Sequence, residues 1–165
     1  MSETAPLLIL DTNVWLDDAI VWRQGHESAR DLICYARHHN VELAYAVTAV
    51  KDVFYIAERQ FKKYAREMQG TLTEAGAAAA TDSAWDVADG LNDVATPIGM
   101  DLADVWMARK LRSVHNDLED NLVIAAGERA NADYIVTSDA KLLANPHVHA
   151  LTAADMLTHL QLFAA

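Results

Sequence analysis

Apolar residues along the chain fall into two alternating rhythms. Leu7-Leu8-Ile9-Leu10 is a continuous apolar run of strand length that stops at Asp11-Thr12-Asn13. Such a run fits a strand covered on both faces, as in a parallel sheet. A short helix is expected from about Val14 to Ile20. From Glu27 to His39 the spacing changes to that of a helix, with Ala29, Leu32, Ile33 and Ala36 as its inner face and Asn40 at its end. Val41 to Val47 is strand-like. Thr48 then stands where an N-cap would, ahead of a long helix whose Val50, Val53, Phe54, Ala57, Phe61, Tyr64 and Met68 keep the helical period. Further helices are expected over about 70 to 80, 83 to 93 and 101 to 113, with a short strand between Val94 and Met100 around Pro97. Asp117 to Asn131 is expected to be a helix with Leu118, Leu122, Ala125 and Ala126 inward. Tyr134 to Thr137 is expected to be a strand and Val148 to Leu151 a last one. Thr152 should cap a terminal helix to about Leu162.

Strands thus alternate with helices. This predicts an α/β domain, a three-layer arrangement with a central, mainly parallel sheet flanked by helices. The 165 residues fit one domain, 1–165. The single cysteine, Cys34, excludes an intramolecular disulfide and is expected to be a buried structural thiol. No membrane span and no signal peptide are expected, and a cytoplasmic location follows. The net charge of −11 runs against binding nucleic acid by bulk electrostatics, unless the acids are gathered where a cation reverses the local sign.

Four aspartates fall near strand ends or helix starts. Asp11 follows the first strand, and Asp52 lies in the first turns of the helix after the second. Asp120 lies in the first turn of the helix before the Tyr134 strand, and Asp139 comes just after that strand. In a parallel sheet most of these points converge on one rim, where ligands of open α/β sheets bind. Carboxylates packed together repel, and a divalent cation relieves that repulsion. An all-oxygen ligand set suits Mg²⁺ or Mn²⁺. Asp117 is placed to cap its helix, which puts Asp120 near the N3 position. Asn13 and Ser138 adjoin two of the acids and are assigned a supporting role in orienting them. Taken singly, each of the four has an ordinary reading as a turn, cap or solvated residue. The set in this order is what singles them out.

The segments around these acids resemble those of PIN domains. Leu10-Asp11-Thr12-Asn13-Val14-Trp15-Leu16-Asp17 matches the DTNV.LD start of one branch of that family. Val47 to Ile56, Asp117 to Leu122 and Ala132 to Asp139 follow in family order. Together the matches span about residues 7 to 143. The resemblance implies a metal-dependent nuclease on a central parallel sheet. Many bacterial members resemble VapC toxins, which cut RNA and are held inactive by a small antitoxin. On this resemblance Asp11, Asp120 and Asp139 correspond to metal ligands and Asp52 to the second acidic position, where many PIN domains carry Glu. Asp117 corresponds to an outer acid. The region from about 70 to 115 matches no motif and is where substrate choice is expected to lie.

A metal-activated water attacking a phosphodiester in line would need no serine or histidine nucleophile. Arg59 and Arg66 lie seven and fourteen residues after Asp52, roughly in line on one helix surface, with Lys62 and Lys63 beside them. With a rise of about 1.5 Å per residue, Arg59 stands roughly 10 Å from Asp52, so these four form a candidate RNA track, with a solvated face as the plainer reading. Arg109, Lys110 and Arg112 form a second basic group. His147 and His149 are expected on one strand face, as polar alternation rather than a zinc pair, and His38-His39 at a helix end. Trp15, Trp22, Trp85 and Trp106 are expected in the core or at a dimer interface, with Trp15 and Trp22 suited to a homodimer or antitoxin contact. Two alternatives to an RNA endonuclease stand beside it. One is a PIN-fold binding module without catalysis. The other is a phosphatase-like or receiver-like aspartate pocket, against which stand Asn13, where a dehalogenase needs a second Asp, and the poor placement of Lys141 for a receiver.

Overall fold

The computed structural model describes residues 5–113 and 115–163. In chain order the elements are β1 (Leu7–Leu10), α1 (Thr12–Ala19), α2 (His26–His38), β2 (Glu42–Ala46), α3 (Ala49–Gln69), α4 (Glu74–Val94) and β3 (Thr96–Ile98). They continue with α5 (Leu102–Leu111), α6 (Leu118–Ala130), β4 (Tyr134–Val136), α7 (Ala140–Leu143), β5 (Ala150–Leu151) and α8 (Ala153–Phe163). The strands form one sheet in the order β3-β2-β1-β4-β5, and every neighbouring pair is parallel. Pro97 sits in β3 at the edge of the sheet, where a strand tolerates a residue without a backbone donor.

The two-residue period of β1 divides the interior into two cores. Leu8 and Leu10 belong to one, with Val14, Trp15 and Leu16 of α1, Leu32 of α2, Val53 of α3 and Met156 of α8. Ile9 points to the other, with Ala44 and Ala46 of β2, Ile135 of β4, and Val123, Ile124 and Ala126 of α6. All three of these β1 side chains are fully or almost fully buried. The continuous apolar run therefore marks a strand with helices on both sides, as expected. At the carboxyl ends the chain leaves β1 to one side, for β2 and β3, and returns on the other side for β4 and β5. The crevice between β1 and β4 is thus the switch point of the sheet.

Several expectations are corrected. The region 74–94 is one continuous helix, not two. Neither Gly nor Pro interrupts it near 81, and Ala80, Ala84 and Ala88 recur every fourth residue as a small-residue seam against α3. Glu58 of α3 ties the hairpin by accepting from Lys62 and Thr81, both at 2.7 Å. Thr48 makes no side-chain cap bond, because the chain there is already in helical dihedrals. Leu118 is exposed while Val123 and Ile124 are buried, so the inner face of α6 lies further along than the apolar spacing placed it. Cys34 is exposed, because the buried stripe of α2 runs through Ala29, Leu32, Ile33 and Ala36 and leaves residue 34 off it. Trp15 is buried and its indole N–H donates to Leu10 O at 3.0 Å. It is a core residue and is unavailable to a partner. His147 and His149 lie in the loop before β5 rather than on a strand.

Asp17, the last residue of the DTNV.LD segment, closes the turn between α1 and α2. Its carboxylate accepts from Arg23 Nε at 2.6 Å, and its carbonyl pairs with His26 Nδ1 at 2.9 Å. A Cβ on Gly25 would stand 2.6 Å from Asp17 Cγ. Gly25→Ala is therefore expected to destabilise by about 1–3 kcal/mol, through displacement of a buried, already bonded carboxylate. Urea melts of the two proteins check this; equal midpoints would contradict it.

Candidate active site

Asp11 extends the β1 ladder by donating its backbone N–H to Val136 O at 2.9 Å. Its side chain is buried at the β1–β4 crevice. One carboxylate oxygen accepts from Thr12 N at 2.7 Å and the other from Thr137 Oγ1 at 2.8 Å. Thr137 is fully buried, and its hydroxyl oxygen also accepts from Asp139 N at 3.0 Å. One hydroxyl thus joins the acid after β1 to the acid after β4. Asp139 caps α7 by accepting from the N–H groups of Lys141 and Leu142, both on Oδ1. Asp117 caps α6 by accepting from Glu119 N and Asp120 N, as expected. Asp120 then meets His115 Nε2 at 2.5 Å.

The remaining acid reaches the site from the other flank. Asp52, half-buried on α3, contacts Lys51 at 3.2 Å, and its carboxyl faces that of Glu119. Successive residues of a helix point about 100° apart, so Glu119 and Asp120 turn to different neighbours. Glu119 meets Asp52, while Asp120 feels Asp117 and Asp139.

The electrostatics follow from this crowding. Burial, with smaller contributions from Asp120 and Asp139, holds the Asp11 carboxyl above its usual range against the opposing bonds from Thr137 and Thr12. Burial also raises Asp120; the bond from His115 opposes the rise, and Asp117 and Asp139 add to it. Glu119 is an exposed residue, but its carboxyl end lies against that of Asp52. Desolvation, followed by the charges of Asp52 and Asp11, pushes it up to about 7.

A carboxyl with a raised folded pKa favours folding while it is protonated. For Glu119 that contribution is full below the ordinary 4.5 and is lost as pH rises through about 7. Asp11 and Asp120 have the same sign. In EDTA the melting temperature is therefore expected to fall as pH is raised from about 5.5 to 8, and added Mg²⁺ to restore more stability at the upper end. Thermal melts with and without Mg²⁺ check this; a metal-free Tm that climbs over that interval would contradict it.

The acids gathered here offer oxygen donors, and two or more negative charges face one another, with Lys51 beside Asp52 and His115 beside Asp120. That donor chemistry fits a hard divalent cation. Among the described residues no three His, Cys, Asp or Glu side chains stand as a ready-made ligand group.

Of the other candidates, Asn13 is half-buried beside Asp11 and, among the described residues, its side chain is not hydrogen-bonded to an acid. Ser138 is exposed and lines a groove with Asp17, Arg23, Gln24 and Gly25. Arg59 and Arg66 are exposed on α3. Lys62 is engaged by Glu58 at 2.7 Å, and Lys63 lies 3.8 Å from Glu67. Three residues of the site were missed in the sequence: Glu119, Thr137 and His115. Glu119 carried a signal, as a second acid in the first turn behind the Asp117 cap. Thr137 lay in the Ala132 to Asp139 match and at a strand end but was given no role, and His115 lies outside every recognised motif.

An all-parallel α/β domain with carboxylates gathered at its switch point defines the class of protein. The PIN domain family model matches residues 8–141, and the chain belongs to the PIN domain family. Solved structures with the same fold include VapBC2 from Rickettsia felis bound to a DNA fragment from its promoter. That match has 13% identity and a TM-score of 0.60 over 88% of this chain and 98% of the other. VapC20 of Mycobacterium tuberculosis, a sarcin-ricin loop cleaving toxin, matches at 12% identity and a TM-score of 0.54, over 78% of this chain and 86% of that one. A toxin–antitoxin complex from Klebsiella pneumoniae matches at 16% identity and a TM-score of 0.53, over 88% and 97%. A search of curated protein sequences gives no match. Among the described residues no helix is long and apolar enough to cross a membrane.

Proposed function

We propose that this protein is a Mg²⁺- or Mn²⁺-dependent endoribonuclease that hydrolyses RNA phosphodiesters, and that it is the toxin of a toxin–antitoxin pair. The observation that carries the proposal is the buried Asp11 carboxylate, joined through Thr137 to Asp139 and electrostatically coupled to Asp120 at the sheet's switch point. Asp11, Asp120 and Asp139 would hold the cation. When bound, the cation lowers the pKa of water and offsets charge on the scissile phosphate. Asp11 is held rigidly by its two hydrogen bonds and presents a fixed charge. The carboxyls of Asp52 and Glu119 face each other at the second acidic position, where Glu119, pushed up to about 7, is suited to hold and release a proton around neutral pH. Asp117 orients the first turn of α6 on which Asp120 rides.

The fold relatives solved with an antitoxin support a small protein partner for this chain too. Trp22, 47% exposed and stacked on Tyr64 at 4.5 Å, is the aromatic surface we assign to a second copy or an antitoxin. On α3 the RNA track reduces to Arg59, Arg66 and the loosely paired Lys63, since Lys62 is committed to Glu58. Reversing Arg59 and Lys63 to Glu is expected to raise KM for RNA several-fold, flatten its salt dependence and leave kcat unchanged. Unaltered KM and salt slope would make this a merely solvated face.

The deciding test is incubation of the purified protein with labelled RNA, with Mn²⁺ and with EDTA. Cleavage confined to the Mn²⁺ arm is the expected result. Mn²⁺ uptake without cleavage of any RNA or DNA would instead identify a binding module.

A further inference from the structure

We propose that His115 is a positioning residue of this site, holding the Asp120 carboxylate in the orientation in which it takes a divalent cation. The proposal rests on the acidic pocket being a cation site, and deepens that reading by adding a residue outside the acid set.

The imidazole is buried, 8% exposed, and stands 2.5 Å from Asp120 Oδ2. Its own place is held from two sides. His115 N donates to Leu111 O at 2.8 Å, which anchors it to the end of α5. His115 O accepts from Asn121 Nδ2 at 2.8 Å, which anchors it to the first turns of α6, and Asn121 is itself 2% exposed. The backbone that carries the buried ring is therefore bracketed between two helices. Asp120, by contrast, is only half-buried, and Asp117 and Asp139 repel its charge. Without a donor to hold it, rotation about its side-chain torsions would carry the carboxylate toward water.

The chemistry of the contact decides between two roles for the histidine. An ionised carboxylate only accepts, so Nε2 must carry the hydrogen. A nitrogen that carries a hydrogen has no lone pair for a metal. His115 is thus a donor to a ligand and not a ligand through Nε2. The contact uses Oδ2 and leaves Oδ1 uncommitted. Hydrogen-bonding partners of this kind fix ligand orientation, and their loss typically weakens metal binding by about 10–100-fold.

The test compares His115→Leu with His115→Gln. Leucine fills the buried space without a donor, whereas the glutamine amide reaches about as far as Nε2 and keeps the N–H. Mn²⁺ binding by calorimetry is expected to weaken about 10–100-fold in the Leu variant and to recover most of that loss in the Gln variant. Kinetics should show kcat reduced at moderate Mn²⁺ with KM for RNA unchanged. A Leu variant that melts cooperatively and binds Mn²⁺ within a factor of about three of wild type overturns the proposal. So does a Gln variant no better than the Leu one. Should the Leu variant fail to fold, His115→Asn, whose amide is too short to reach Asp120, takes its place against wild type under the same criterion. Wild-type protein that takes up no Mn²⁺ would overturn the cation site itself, an outcome distinct from a wild type that binds Mn²⁺ and a Leu variant that binds it equally.

Discussion

Asp11→Asn is expected to lower Mn²⁺-dependent RNA cleavage by roughly 10³-fold, the scale on which losing a preorganised electrostatic element depresses kcat, while leaving the fold intact. The two effects separate because the same burial that makes Asp11 useful makes it costly. Its carboxyl is held above the ordinary range chiefly by desolvation. Near pH 8 the ionised form is therefore a burden on the metal-free protein, and a neutral isostere removes it. The amide oxygen still accepts from one neighbour, and the hydroxyl of Thr137 retains a lone pair for the amide N–H. In EDTA the variant should melt at the wild-type temperature or above it. The rise in Tm that Mn²⁺ produces in wild type, a consequence of binding the folded state alone, should disappear. Parallel melts and single-turnover cleavage check both halves. A variant that cuts RNA at the wild-type rate would remove Asp11 from the site.

Leu16→Ala is expected to do the reverse. Leu16 lies in the same DTNV.LD segment, five residues from Asp11, but its side chain is fully buried in the apolar core that Leu8 and Leu10 also enter. Truncation leaves a cavity in a packed interior, at about 2–5 kcal/mol. At about 2–4 °C per kcal/mol for a chain of this size, Tm should drop by roughly 5–20 °C. Cleavage per folded molecule at low temperature should match wild type. Urea melts and kcat below the transition distinguish the cases, and a loss of kcat without loss of stability would tie Leu16 to the chemistry. One motif thus contains three physical roles: Asp11 for charge, Leu16 for packing, and Asp17 for closing a turn through Arg23.

The element order was legible because it depends on local rules. The apolar run of β1, the helical spacing of α2 and the Asp117 cap of α6 each declare themselves within a few residues. The places of Asp11 and Asp139 just past buried strands were legible for the same reason, since those strands declare themselves locally. Cys34 was misjudged where periodicity is weakest, on the margin of an otherwise correct helical stripe. The join between 80 and 83 was misjudged: Thr81 stands inside one continuous helix, with its hydroxyl satisfied on Ala77 O and Glu58.

What the chain's pattern by itself determined is the α/β alternation, the parallel strands and the presence of acids at several strand and helix ends. These are consequences of side-chain period and backbone caps, which act over one or two turns. Which acids face one another was decided only by the tertiary structure. The order β3-β2-β1-β4-β5 places β1 beside β4, and only then do Asp11, Thr137 and Asp139 become neighbours. The pairing of Glu119 with Asp52 and of His115 with Asp120 depends on helix rotation and on how α3, α5 and α6 pack around the crevice. Those are long-range quantities, set by the whole core at once, and no short stretch of sequence encodes them.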